Sequence, residues 1–136
     1  MKQKYYSSIF LLLIISIIPF SSTAQKKKPA RIKAEYVKEA NQIETIIISL
    51  VVKDERYEPF SGAEVLVYHF NDTSKILVGT VQTNKSGLAK FLVQESPKLY
   101  FDDENKLAFE VAYEGTDEIR SASRKLSFNL STVKLS

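Results

Sequence analysis

His69 is the single histidine of the chain, and Ser61 and Ser74 flank it in sequence. A histidine within reach of a serine is the minimum of a nucleophile–base pair. No G-x-S-x-G elbow accompanies it. His69 also alternates with Val65 and Val67 in AEVLVYHF, which predicts a sheet-face histidine with no catalytic role. One histidine cannot build a histidine-ligated zinc site. There are no cysteines, so disulfides, thiol catalysis, Cys-ligated zinc or iron and covalent haem attachment are excluded. The remaining reactive chemistry is carboxylate. Asp102-Asp103-Glu104-Asn105 offers oxygen ligands of the kind calcium takes, without the D-x-[DN]-x-[DN]-G spacing of an EF-hand loop. Asp72 is the candidate that joins Asp102, Asp103 and Glu104 from another loop. A solvated acidic loop is the default expectation, with no bound metal, no cofactor and no enzymatic activity.

Aromatic side chains are the other candidates for binding. Tyr57 and Phe60 share one loop, Tyr100 and Phe101 another. Asn71-Asp72-Thr73 and Asn129-Leu130-Ser131 are formal glycosylation sequons, incidental in a chain whose Lys-, Ile-, Asn- and Ser-rich texture resembles exported bacterial proteins.

The elements that must position these groups read as strands. After Pro29 the hydrophobic period is two almost throughout. Strands are predicted over 31–37, 44–53, 63–70, 75–83, 88–93, 107–113 and 121–129. ETIIISLVVK (44–53) is β-branched and buried in type. In 107–113, Leu107, Phe109, Val111 and Tyr113 face the core, while Ala108, Glu110 and Ala112 face away. Phe91, Phe109, Val111 and Phe128 are the predicted core. Asn84-Lys85-Ser86-Gly87 is a hairpin turn with Gly87 at positive φ. No segment has helical periodicity.

Six to eight strands separated by turn residues indicate an all-β antiparallel sandwich. If each strand runs end to end, loops alternate between its two ends. The 71–74 turn and the 94–106 loop then share an end, bringing Asp72 to the acidic loop. Tyr57 and Phe60 fall at the other end from Tyr100 and Phe101, so Phe60 and one of the latter pair cap the ends of the core.

The N-terminus carries Lys2 and Lys4, an apolar run from Ile9 to Phe20, then Ser22 and Ala24 at the spacing a signal peptidase reads. The run is shorter than the roughly 20 residues that span a bilayer. Residues 1–24 are therefore expected to be a signal peptide, 25–30 a basic linker and 31–136 the sandwich domain. Cleavage after Ala24 leaves 112 residues, enough for one core without disulfides. The net charge of +3 rests on Lys2, Lys4 and Lys26 to Lys28. Without those five lysines the 19 basic residues fall to 14, against 16 acidic, which argues against nucleic acid as partner. No membrane span is expected after cleavage.

Residues 52 to 93 carry V-K-D-E-R-Y-E-P-F-S-G-A-E-V-L-V-Y, a gap, then G-T-V-Q-T-N-K-S-G-L-A-K-F. Gly62-Ala63, the Thr83 to Phe91 hairpin, and Tyr113-Glu114-Gly115-Thr116 with Ser121 and Ser123 add to the pattern. It resembles the bacterial Ig-like and carboxypeptidase-regulatory-like (prealbumin-like) modules of exported proteins, over most of residues 43 to 130. The resemblance implies an Ig-like or transthyretin-like sandwich with an adhesive, accessory or structural role at the cell envelope, and transfers no catalytic residue. The expected function is a non-enzymatic exported module that binds a protein or a glycan in the periplasm, at the outer surface or after secretion. The alternative is an accessory subunit of a larger envelope complex. Ser131 to Ser136 still alternates polar and apolar residues, and Lys75, Lys125 and Lys134 are the residues available to blunt sheet edges. An edge that adds a partner's strand is therefore a further expectation.

Overall fold

The computed structural model describes residues 26–129; the expected signal peptide and Ser131 to Ser136 lie outside the described residues. Eight strands follow in order: β1 (Ala30–Lys38), β2 (Glu44–Lys53), β3 (Tyr57–Pro59), β4 (Glu64–Asn71), β5 (Ser74–Gln82), β6 (Leu88–Leu92), β7 (Lys106–Tyr113) and β8 (Ala122–Asn129). One 3₁₀ turn, Val93–Glu95, follows β6. All named strand pairs are antiparallel. They form two four-stranded sheets, an all-β sandwich. In one sheet β2 is central, with β1 on one side and β6 and β3 in succession on the other; the second has the order β5-β4-β7-β8.

β2 is central because its composition suits nothing else. Ile46, Ile48, Leu50 and Val52 alternate into the core and are buried, each contributing roughly 1.5–3 kcal/mol relative to exposure. Where β6 hands over to β3, the Leu50 N–H donates to the Gly87 carbonyl and the Leu50 carbonyl accepts from the Phe60 N–H. Gly87 has φ +74°, and a Cβ there would stand 2.7 Å from the Leu50 carbonyl oxygen. The turn therefore requires glycine for both conformation and close approach. Thr83 accounts for the Gly62-Ala63 and Thr83 part of the sequence pattern. Its buried hydroxyl donates to the Phe60 carbonyl at 2.7 Å and accepts from the Ala63 N–H at 2.9 Å.

The facing sheet supplies Val65, Val67 and His69 from β4 and Leu107, Phe109, Val111 and Tyr113 from β7, all buried. Rings run through the sandwich as a column. Tyr36 stacks on Phe128 at 4.2 Å, Phe128 lies 5.8 Å from Phe109, and Phe109 lies 4.5 Å from His69. His69 in turn lies 5.8 Å from Tyr100.

Several expectations differ in detail, β3 among them, since Tyr57 to Pro59, expected in a loop, pairs with β2. Phe128 is half-buried rather than a full core residue, because β8 is an edge strand. Glu110 faces away from the core yet is only 9 % exposed, because Lys75 lies across it with Nζ 3.2 Å from Oε1. Lys28 to Ala30, assigned to the linker on composition, are bound to the domain. The Lys28 N–H donates to Glu118 and the Lys28 carbonyl accepts from Arg120, while the Pro29 carbonyl accepts from Lys53.

Candidate functional site

The chemistry-bearing residues converge at the end of the sandwich where β4 runs into the 71–74 turn. That turn is tight: Asn71 pairs with Ser74, the Ser74 hydroxyl donates to Asn71 Oδ1 at 2.9 Å, and Asp72 takes a left-handed φ of 48°. Asp and Asn tolerate that conformation. The 94–106 loop closes on itself beside it. Asp102 Oδ1 accepts the N–H groups of Glu104 at 2.8 Å and Lys106 at 2.9 Å. These two hydrogen bonds hold the Asp102 carboxyl below its ordinary range, and Lys106 adds a smaller favourable charge.

The β4–β7 ladder ends at His69 and Phe109, one residue short of Phe70 and Ala108. Two adjoining clefts open there. One, of about 290 Å³, is lined by Asp72, Tyr100, Phe101, Asp102, Asp103 and Lys106 among others. The second, of about 390 Å³, lies over Phe109, Lys125, Leu126 and Ser127. Phe70, Asp72 and Ala108 line both. Lys125 Nζ stands 5.3 Å from the Phe70 ring centroid. The combined surface has half-buried or exposed aromatic faces, carboxylates, ammonium groups, and small side chains at Ala108 and Ser127.

Asp72 does share its end of the sandwich with Asp102 and Asp103, as the alternation of loops requires. The four carboxylates do not gather into a calcium-type cage. Glu104 does not line the cleft and pairs with Lys106 at 3.7 Å, while Asp102 is committed to its own loop. Among the described residues, no three His, Cys, Asp or Glu side chains are placed to hold a metal ion. Tyr57 lies under the Arg31 guanidinium at the other end. Phe60 packs toward Tyr113 at 6.2 Å, and Tyr100 packs on His69; Phe101 remains 49 % exposed.

His69 sits beneath this surface and is 1 % exposed. Nδ1 lies 2.9 Å from the Ala108 carbonyl oxygen, and Nε2 accepts the Tyr100 N–H at 2.8 Å. Burial lowers the imidazole pKa from its ordinary 6.5, outweighing the Ala108 hydrogen bond, which raises it. With both ring nitrogens engaged by backbone, His69 serves to anchor the loop. Phe70, Lys106, Ala108 and Lys125 are site residues that the motifs did not flag. The signal for Phe70 lay in β4 itself, where Leu66, Tyr68 and Phe70 make the outward phase as apolar as the inward one; Lys106 and Ala108 of β7 and Lys125 of β8 carried none.

Comparison with protein-family models, with curated proteins and with solved structures finds no match. Among the described residues no helix is long and apolar enough to cross a membrane.

Proposed function

We propose that the protein is an exported, non-enzymatic module that binds a glycan at the cell envelope through the two clefts at the Phe70 end of the sandwich. The observation that carries this reading is the mixture of groups around Phe70. Aromatic faces accept the C–H face of a sugar ring, and the carboxylates of Asp72 and Asp103 accept its hydroxyls. The small side chains of Ala108 and Ser127 leave a trough for a chain of rings. Ligand sites combine apolar walls with a few placed polar groups in this way. A protein partner would call instead for a contiguous apolar anchor cluster. Among the described residues, the exposed large apolar side chains, Ile76, Leu77, Leu88 and Phe101, are spread over β5, β6 and the 94–106 loop. Export rests on the charge, apolar run and small residues of positions 1–24, and the Ig-like or prealbumin-like character on the pattern of residues 52–93.

Titration calorimetry of the chain from Gln25 against cellohexaose and chitohexaose tests the reading. Binding of either should weaken about tenfold, near 1.4 kcal/mol, in Phe70→Ala and in Asp72→Asn. Binding that neither substitution changes, or no binding to any of a panel of envelope oligosaccharides, overturns it.

A second reading, an accessory subunit held by sheet-edge pairing, has one observation in its favour. β5 is an open edge on which Leu77 is 52 % exposed. The irregularity at Val67/Tyr68 in its pairing with β4, together with Lys75, blunts that edge, so the glycan reading is preferred.

A further inference from the structure

The loop that walls the first cleft is tied to the sandwich by His69, and the tie accepts one protonation state. Nδ1 must carry hydrogen, because its partner is the Ala108 carbonyl. Nε2 must not, because its partner is the Tyr100 N–H. The neutral Nδ1–H tautomer satisfies both. An imidazolium carries N–H on both nitrogens and would set two donors against each other, in a position sealed from water. An unmet buried donor is costly, and a buried charge more so. Ala108 lies in β7, which is laddered to β8 along its whole length. Tyr100 lies outside any strand, so its side of the tie yields first.

We infer that His69 is a proton-operated catch: neutral, it holds Tyr100 and the 94–106 loop against the sandwich, and protonated, it releases them and dismantles the cleft wall formed by Tyr100, Phe101, Asp102 and Asp103. This rests on the glycan reading only for its consequence on binding; the release of the loop stands apart from it.

Among the described residues no charged side chain shifts the imidazole; Asp72 of the 71–74 turn is exposed and Lys125 of β8 lies over the Phe70 ring. Glu110 of β7 and Lys75 of β5 pair with each other on the outer face of the sheet. In the loop, Asp102 accepts backbone N–H groups, Glu104 pairs with Lys106, Lys98 stands 5.3 Å from the Tyr100 ring centroid, and Asp103 is exposed. Across the sandwich, Glu44 of β2 takes the Tyr36 hydroxyl, Lys90 of β6 reaches Glu39, and Glu95 of the 3₁₀ turn is exposed. The shift of His69 has burial and the Ala108 carbonyl as its causes. The sign follows. The released state titrates near 6.5 and the latched state lower, so the released state binds more protons as pH falls between the two values, and the catch weakens there.

Hydrogen exchange followed by NMR from pH 7.5 to 4.5 tests this on the chain from Gln25. His69 is the only histidine, so its ring resonances report the titration without ambiguity. The protection factor of the Tyr100 amide should fall about tenfold per pH unit below 6.5 until the latched value is passed. Ile48 and Val111 should stay protected. In H69Q that pH dependence should vanish, and if H69Q does not fold, the unsubstituted profile decides alone. Loop and core amides losing protection together, or Tyr100 protection unchanged while the imidazole titrates, overturns the catch. Titration of cellohexaose and chitohexaose over the same range separates the two readings. Binding that declines with the loop's protection supports both, whereas a loop that opens on schedule in a chain that binds neither sugar leaves the catch and removes the glycan reading.

Discussion

The rings of Tyr36 and Phe128 lie 4.2 Å apart and within 8° of parallel, joining β1 of one sheet to β8 of the other. Stacked pairs contribute about 0.5–1.5 kcal/mol beyond their buried area. A double-mutant cycle of Tyr36→Leu and Phe128→Leu should return a coupling of that size in urea denaturation. Phe109 stands behind Phe128 in the same column and is fully buried, so Phe109→Ala should cost more, about 3–5 kcal/mol, while Ser127→Ala should leave the midpoint nearly unmoved.

Among the described residues, two buried hydroxyls have no hydrogen-bond partner, Thr45 Oγ1 and Tyr113 Oη. An unmet buried polar group costs about 1–3 kcal/mol. Thr45→Val and Tyr113→Phe should therefore be neutral or stabilising in thermal unfolding, which is unusual for core substitutions. Burial also raises the Tyr113 pKa above 10.0. The unfolded chain then ionises first as pH rises, so stability present below pH 10 declines above it, and Tyr113→Phe should flatten that decline.

Asp102 is an organiser of its loop, with one oxygen taking two N–H groups. Asp102→Ala should raise hydrogen exchange at Glu104 and Lys106 with little change in the global melting temperature. Asp102→Asn keeps an acceptor oxygen and should restore most of the protection.

Export predicts a mature chain beginning at Gln25. Intact mass of the protein recovered from the envelope or medium should lack Met1 to Ala24. A chain that keeps those residues in the membrane fraction contradicts the signal peptide.

The strands were legible where alternation and β-branching agreed. Glu44 to Lys53 was read to the residue. Tyr57 to Pro59, three residues ending in proline, carries no strand pattern in the sequence; β3 exists because Val51 to Lys53 need partners beyond the end of β6. Counting loop ends brought Asp72 to Asp102 and Asp103 without contact information. The role of His69 was not legible, because its partners are backbone atoms 31 and 39 residues away, which no side-chain motif encodes. Alternation places Glu110 facing away from the core but says nothing about Lys75 crossing to it from two strands away.

The closure of this fold is long-range. Lys28 bridges to Ile119 and Tyr36 stacks on Phe128, contacts spanning about ninety residues of sequence. A nascent chain emerges N-terminus first, so β1 and β2 wait for β7 and β8. All-β topologies of this kind take milliseconds to seconds to fold. During that wait TIIISLVV is an uncharged, β-branched stretch with no sheet opposite it, the composition that pairs with copies of itself. Glu44 and Lys53 bracket the stretch with charge, the gatekeeper arrangement that slows such pairing. The time in which TIIISLVV is most exposed to self-pairing is thus the delay before β7 and β8 arrive.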